Sequence, residues 1–243
     1  MRGLLGLGAL AMIGADTVVG VRLLLLAWRT RELPETTLGL AFLLLGAIGY
    51  PLATAARREL LPTDAGNAAL MAAGLLAQNL ACLAMYLNTA ATFRAGARWA
   101  RVLGGAAAAG LAASYAGQAA ATRFAPHATG VAYYLGLAIR AGAFAWSASE
   151  GLRYYTRARR RLRLGLADPV VTNRFLLFGL GTAGVFAAFV IFWIGQLTTA
   201  NVAESTWVLA ATSVVGIVSA VATWLAFLPP AAYLRRIQAR APH

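Results

Sequence analysis

The chain is built from long apolar runs separated by short polar connections. About 20 apolar residues suffice to cross the hydrocarbon of a bilayer as a helix. Seven such runs occur, at roughly 4–27, 37–56, 65–90, 102–121, 128–150, 170–195 and 206–228. The expected fold is an all-α integral membrane protein, a single domain made of a seven-transmembrane-helix bundle. The fourth run, VLGGAAAAGLAASYAGQAAA, is the least apolar; Gly104, Gly105, Gly110 and Gly117 suit a helix packed closely on its neighbours. In the first run Asp16 interrupts what would be the core of a cleavable signal, and apolar sequence continues to Trp28. That pattern predicts a first transmembrane helix instead.

Local chemistry agrees with these boundaries. Asp168-Pro169 places a capping acid and then a proline at the start of the sixth run. Thr63 or Asp64 can cap the third, and Ser205 the seventh. Trp28, Trp99, Trp193 and Trp207 fall near run ends, where indole rings suit the headgroup level. The fifth run is followed by GLRYYTRARRRLRLGLADP, expected to continue as a helix along the inner surface with Leu162, Leu164 and Leu166 touching lipid.

The connections decide orientation, because loops rich in basic residues stay on the cytoplasmic side. The first, third and fifth loops together with the tail hold 14 arginines; the N-terminal segment with the other three loops holds 4. The N-terminus is therefore expected outside and the C-terminus inside. Arg153, Arg157, Arg159, Arg160, Arg161 and Arg163 of the fifth loop dominate the count and form a candidate surface for lipid or a protein partner.

Composition sharpens this picture. Of 243 residues 60% are hydrophobic and 12% charged, and mean hydropathy is +0.68. Soluble domains carry about 25% charge, so lipid is the natural solvent for most of this surface. The net charge is +13, and all 21 basic residues are arginine, none lysine. Because the arginines stand at the ends of apolar runs, anionic headgroups rather than nucleic acid are the expected partner. The arginine and alanine bias suggests GC-rich coding, and the expected location is a bacterial cytoplasmic (inner) membrane. Cys82 is the single cysteine, which excludes intrachain disulfides and cysteine-based zinc clusters.

Polar residues at mid-membrane are expensive unless paired, and so mark candidate sites. Counted from the outer ends of their runs, Asp16, Gln78, Asn79, Arg140 and Ser219 all lie twelve to fourteen positions in. At 1.5 Å per residue they share one layer, about 18 Å deep. Tyr133, Gly136 and Ser147 share a helix face with Arg140; Cys82 and Tyr86 share one with Asn79. Asp16, Gln78, Asn79, Arg140 and Ser219 are a candidate ligand-binding or relay layer, with Asp16 and Arg140 as opposite charges. Two blander arrangements stay open: an ion pair that fixes helix packing, and an unpaired Asp16 held neutral.

Other signals are thin. Residues 179–184, GLGTAG, match G-x-G-x-x-G, but that motif needs a preceding strand and a phosphate-facing helix start. Inside a membrane helix it predicts close packing instead. The two histidines, His127 and His243, belong to no H-E-x-x-H motif, and no serine–histidine constellation occurs, so no enzyme and no metal are expected. Glu150 is expected to pair with Arg153, three residues on.

Seven spans with an outer N-terminus and a basic fifth loop resemble the general layout of rhodopsin-like and G-protein-coupled receptors. In the tail FLPPAAYLRR, Pro230 and Tyr233 resemble the receptor motif N-P-x-x-Y, with Pro229 in the asparagine position. The resemblance identifies no single family. Opsins bind retinal through a lysine Schiff base; without any lysine, covalent retinal is excluded and no cofactor is expected. The functional expectation is a receptor-like or sensory membrane protein that binds a small or apolar ligand and acts through a separate cytoplasmic signalling protein. A small-solute transporter with a polar midplane site is the alternative. It is disfavoured because Pro34, Pro51, Pro62, Pro126, Pro169, Pro229 and Pro230 stand at or near run ends instead of breaking helices.

Overall fold

Every apolar run becomes a helix. The computed structural model describes residues 7–199, 201–202 and 204–239. Residues 4–6 of the first run, with Arg240 and His243 of the tail, lie outside them. The helices are α1 (Leu7–Thr30), α2 (Leu33–Arg57), α3 (Asp64–Phe93), α4 (Arg98–Thr122), α5 (Val131–Leu162), α6 (Pro169–Thr198), α7 (Thr206–Phe227) and the short α8 (Ala231–Ala239). No strand occurs among the described residues. Five of the helices, α1, α2, α3, α6 and α7, are long and apolar enough to cross a membrane. α4 and α5 are as long but less apolar: α4 is rich in Gly and Ala, and α5 carries Arg140 and ends in the arginine run.

Capping follows the sequence at two of three places. Asp168 Oδ1 accepts hydrogen bonds from the amides of Val170 (2.6 Å) and Val171 (3.1 Å), satisfying donors that a helix start leaves free. Thr63 Oγ1 accepts from Gly66 N at 3.1 Å. Ser205 precedes α7 without a side-chain cap, so that expectation is corrected. α5 continues past its apolar run as expected, but ends at Leu162, short of the expected Leu166. Its 32 residues form one unbroken helix of about 48 Å at 1.5 Å per residue. The arginine run through Leu162 is thus the continuation of α5, longer than the roughly 30 Å hydrocarbon layer.

Six helices close a ring in which α1 touches α2 and α7, α2 touches α3, α3 touches α5, α5 touches α6, and α6 touches α7. α4 packs outside the ring, against α3 and α5. Its one buried stripe, Ala100, Gly104, Ala107, Leu111, Ser114 and Gln118, advances by alternating four and three residues, the spacing of a single helix face. The close-packing expectation for α4 holds for Gly110, which faces Ile139, and Gly117, which faces Ala132; Gly105 faces open space.

The GLGTAG stretch lies within α6 and does pack closely. Gly184 faces Ser219 of α7, and Gly179 faces Leu152 of α5. Ser219 Oγ donates to the Gly181 carbonyl at 3.1 Å. Small residues here let backbones approach where lipid supplies no hydrophobic drive for helix association. One end of the ring is filled by a core that includes Val19, Leu38, Phe42, Met85 and Phe144. Phe42 of α2 meets Phe227 of α7 edge-on at 5.8 Å across it. Outward, large apolar side chains such as Leu25, Leu80, Val214 and Val221 are exposed along the helices. A surface so apolar over that length belongs in lipid, and the chain is a helical membrane protein.

Candidate functional site

The other end of the ring is hollow. A cavity of about 460 Å³ lies between α1, α2, α3, α5, α6 and α7, at the end where α2 leads into α3 and α6 into α7. Its two sides differ chemically. α1 and α7 contribute mainly apolar groups, among them Met12, Ile13, Val208 and Leu209. α2, α3 and α5 contribute Arg57, Gln78, Tyr133 and Arg140. No acidic side chain lines it among the described residues.

Arg140 is the most deeply placed of these groups, 1% exposed on the inward face of α5. Its Nη1 donates to Asn79 Oδ1 of α3 at 2.9 Å, while its buried Nε has no partner. Phe144, one turn further along α5, meets Phe189 of α6 with ring centres 5.8 Å apart, and Phe189 lines the cavity. Two turns toward the mouth, Tyr133 Oη accepts a hydrogen bond from Arg57 Nη2 at 3.2 Å. The Arg57 guanidinium lies 5.0 Å from the Phe192 ring centre and 5.7 Å from that of Tyr133. Aromatic faces attract a cation in this way, so Arg57 is held at the mouth with its charge uncompensated by any acid.

The polar layer expected from depth is thus only partly assembled. Asn79 and Arg140 meet, and Gln78 lines the same cavity. Asp16 does not join them. It is buried on α1, which does not touch α5, and no ion pair reaches it among the described residues. Of the arrangements the sequence leaves open, an Asp16–Arg140 ion pair does not form among the described residues: equal depth says nothing about position around a ring, and α1 and α5 do not touch. Ser219 is also outside the cavity and is engaged in the α6–α7 contact.

Asp16 faces a feature that sequence reasoning missed. Residues Leu43–Gly49 of α2 form a π-helical segment, one residue wider per turn than an α-helix. Such segments are rare and often mark functional places. Pro51 follows directly and has no N–H to continue the ladder. It stands inside α2, not at its end, so the argument that no proline breaks a helix fails here. Gln78 Nε2 of α3 donates to the Gly49 carbonyl at 3.1 Å, at the end of the π-helical segment. Asp16 packs on Gly46, where an added Cβ would lie within 3 Å of the carboxylate side chain. Gly46→Ala is accordingly expected to lower stability by about 1–3 kcal/mol through overpacking. Gly105→Ala, facing open space, is expected to change it by less than about 1 kcal/mol, and in the stabilising direction. Thermal unfolding in detergent micelles compares the two.

At the opposite end Glu150, 1% exposed, forms a second charged cluster. Its Oε1 accepts from Arg94 Nε and Nη2, both at 2.8 Å, and from Trp146 Nε1 at 3.3 Å. The expected local partner Arg153 is more distant, at 3.7 Å. Arg94 also lies 5.6 Å from the Trp99 ring centre of α4, so that one guanidinium holds the start of α4 and, through Glu150, α5. Beyond this cluster Arg153, Arg157, Arg159, Arg160, Arg161 and Arg163 are all exposed. Among the described residues no group of three or more His, Cys, Asp or Glu side chains is placed to hold a metal.

No protein-family model, no curated protein and no solved structure matches the chain. Function is therefore argued from the site alone.

Proposed function

We propose that the chain is a receptor-like, seven-span protein of a cytoplasmic membrane that takes a small, largely apolar ligand from outside and acts through a cytoplasmic partner. The observation that carries this reading is the cavity: about 460 Å³, enclosed by six helices, apolar on one side and with a few convergent polar groups on the other. Ligand sites commonly occupy about 300–1,000 Å³ and have that balance of lining. α4 and α5 complete the seven spans. Their polar residues are sheltered by neighbours, as with Arg140 of α5 bonded to Asn79 of α3 and Ser114 of α4 bonded to the Ala132 carbonyl.

The excess of arginine at the end opposite the cavity supports a cytoplasmic placement of that end. The cavity would then open outward and the exposed end of α5 would face the cytoplasm. There its arginines suit anionic headgroups, at roughly 1 kcal/mol each, or an acidic protein surface. Cysteine labelling tests the orientation directly. Cys82 is fully buried, so the unmodified chain gives a silent background. An impermeant maleimide added outside is expected to label Thr199→Cys and not Ala158→Cys. The reverse pattern would put the cavity on the cytoplasmic side and end the proposal in this form.

The transporter reading gains support from one feature, the π-helical segment and Pro51 in α2 beside Asp16 and Gln78. Broken helices at mid-membrane are common in transporters, although there they recur in two halves. Reconstituted protein separates the two readings. A receptor gives saturable binding without time-dependent accumulation inside vesicles, and a transporter gives both.

A further inference from the structure

We infer that the cavity binds an amphipathic organic monoanion, its headgroup at Arg140 and Arg57 and its apolar body along α1 and α7. The inference rests on the cavity being a ligand site and adds the chemistry of what enters it. A guanidinium taken out of water is costly unless a counter-charge or a full set of hydrogen bonds replaces the lost hydration. Arg140 has one neutral acceptor, Asn79 Oδ1, and a buried Nε with none. Arg57 adds a second positive charge to the same cavity and the exposed Arg58 a third at its rim, and the lining contains no acid to balance them. Asp16, the nearby buried acid, faces Gly46 instead of this space.

An anion in the cavity, which Arg140 and Arg57 line, would supply the missing counter-charge. Guanidinium groups favour carboxylate, sulfonate and phosphate oxygens, to which they donate in a planar fork. The opposite wall fixes the rest of the ligand. Met12 and Ile13 of α1 and Val208 and Leu209 of α7 offer contacts suited to an alkyl or ring system and nothing that would hold a second charge. A small hydrophilic anion would leave that wall uncovered. A neutral lipophile would leave Arg140 unpaired. The same chemistry is offered by a free amphipathic anion and by an acidic lipid headgroup with part of its chain.

The test uses three probes with one tail: dodecanesulfonate, dodecanol and dodecyltrimethylammonium, with sodium methanesulfonate as the tail-less anion. Each is titrated against the purified full chain in phosphatidylcholine nanodiscs, following binding by equilibrium dialysis and by shift of the thermal midpoint. Dodecanesulfonate is expected to bind at least tenfold tighter than dodecanol, with no saturable binding of the cation or of methanesulfonate. Arg140→Gln is expected to abolish that preference, bringing the affinity for dodecanesulfonate down to that for dodecanol in the same variant. Arg57→Gln, at the half-buried mouth, is expected to reduce it several-fold and guards against misfolding of the deeper variant. Replacing part of the phosphatidylcholine by phosphatidylglycerol separates the two sources. Competition with dodecanesulfonate assigns the site to an acidic lipid, and its absence assigns it to a free anion.

Equal binding of dodecanol and dodecanesulfonate overturns the inference and leaves the apolar ligand site standing. Methanesulfonate binding as tightly as its long-chain counterpart overturns it in favour of a simple anion site. Failure of every probe overturns the ligand-site reading together with the inference.

Discussion

Arg94→Gln is expected to destabilise the folded protein by about 3–5 kcal/mol, the cost of leaving a buried charge without its partner. Glu150→Gln should cost distinctly less. The asymmetry follows from exposure. Glu150 is 1% exposed and Arg94 30%, so Arg94 deprived of Glu150 can turn to water, whereas Glu150 deprived of Arg94 cannot. Its Oε2 already has no partner, and Oε1 keeps the neutral Trp146 Nε1–H at 3.3 Å and one cation, the largely exposed Arg153 at 3.7 Å. Adding Arg153→Gln to Arg94→Gln should therefore deepen the loss. Adding Glu150→Gln to Arg94→Gln should recover part of it, because the charge left buried is then removed. Thermal unfolding in a single detergent orders the four variants. Equal losses for Arg94→Gln and Glu150→Gln would mean that Glu150 is hydrated in the native state.

Nothing local pointed to that pairing. Arg153, three residues from Glu150, was the nearest cation along the chain, and the expected partner came from helix spacing alone. That pair forms at 3.7 Å, but the closer partner, Arg94, comes from the α3–α4 connection, 56 residues away. The same limit runs through the site. Hydropathy runs and caps locate helices, since every peptide group must be satisfied within its own segment in lipid. They also give depth along each helix. They do not give the order of helices around a ring or the rotation of each about its axis.

Asn79 and Arg140 met because α3 and α5 are neighbours. Asp16 faced Gly46 because α2, not α5, lies against α1. Arg57 was counted among loop charges and its place in the cavity was missed; Pro51 six residues earlier, inside an apolar run with Gly46 and Gly49, was the signal that this part of α2 is irregular. Tyr133 was recognised only as a neighbour of Arg140 on one face. Its role as the acceptor for Arg57 depends on where α2 ends in space.

A double-mutant cycle on Asn79 and Arg140 separates what the buried arginine does for packing from what it does for a ligand. Asn79→Leu removes the acceptor bonded to Nη1 at 2.9 Å. Hydrogen bonds to charged groups are worth about 1.5–3 kcal/mol, and a loss of that order is expected. Arg140→Met leaves the Asn79 amide buried with its partner gone, a cost of about 1–3 kcal/mol. The double variant replaces both by apolar groups of similar length, which is often close to neutral. Its stability should return to within about 1 kcal/mol of the unmodified protein, so that the single losses fail to add. Asp16→Leu, on a helix that does not touch α5, should add simply to any of these. Binding of dodecanesulfonate should be lost in every variant carrying Arg140→Met, the stable double variant included. A protein that folds as well without the charge yet no longer takes the anion would place the arginine's purpose in the ligand. Strict additivity of the two single losses would instead mean that the Asn79–Arg140 bond contributes nothing to the fold, and that the guanidinium is satisfied from within the cavity.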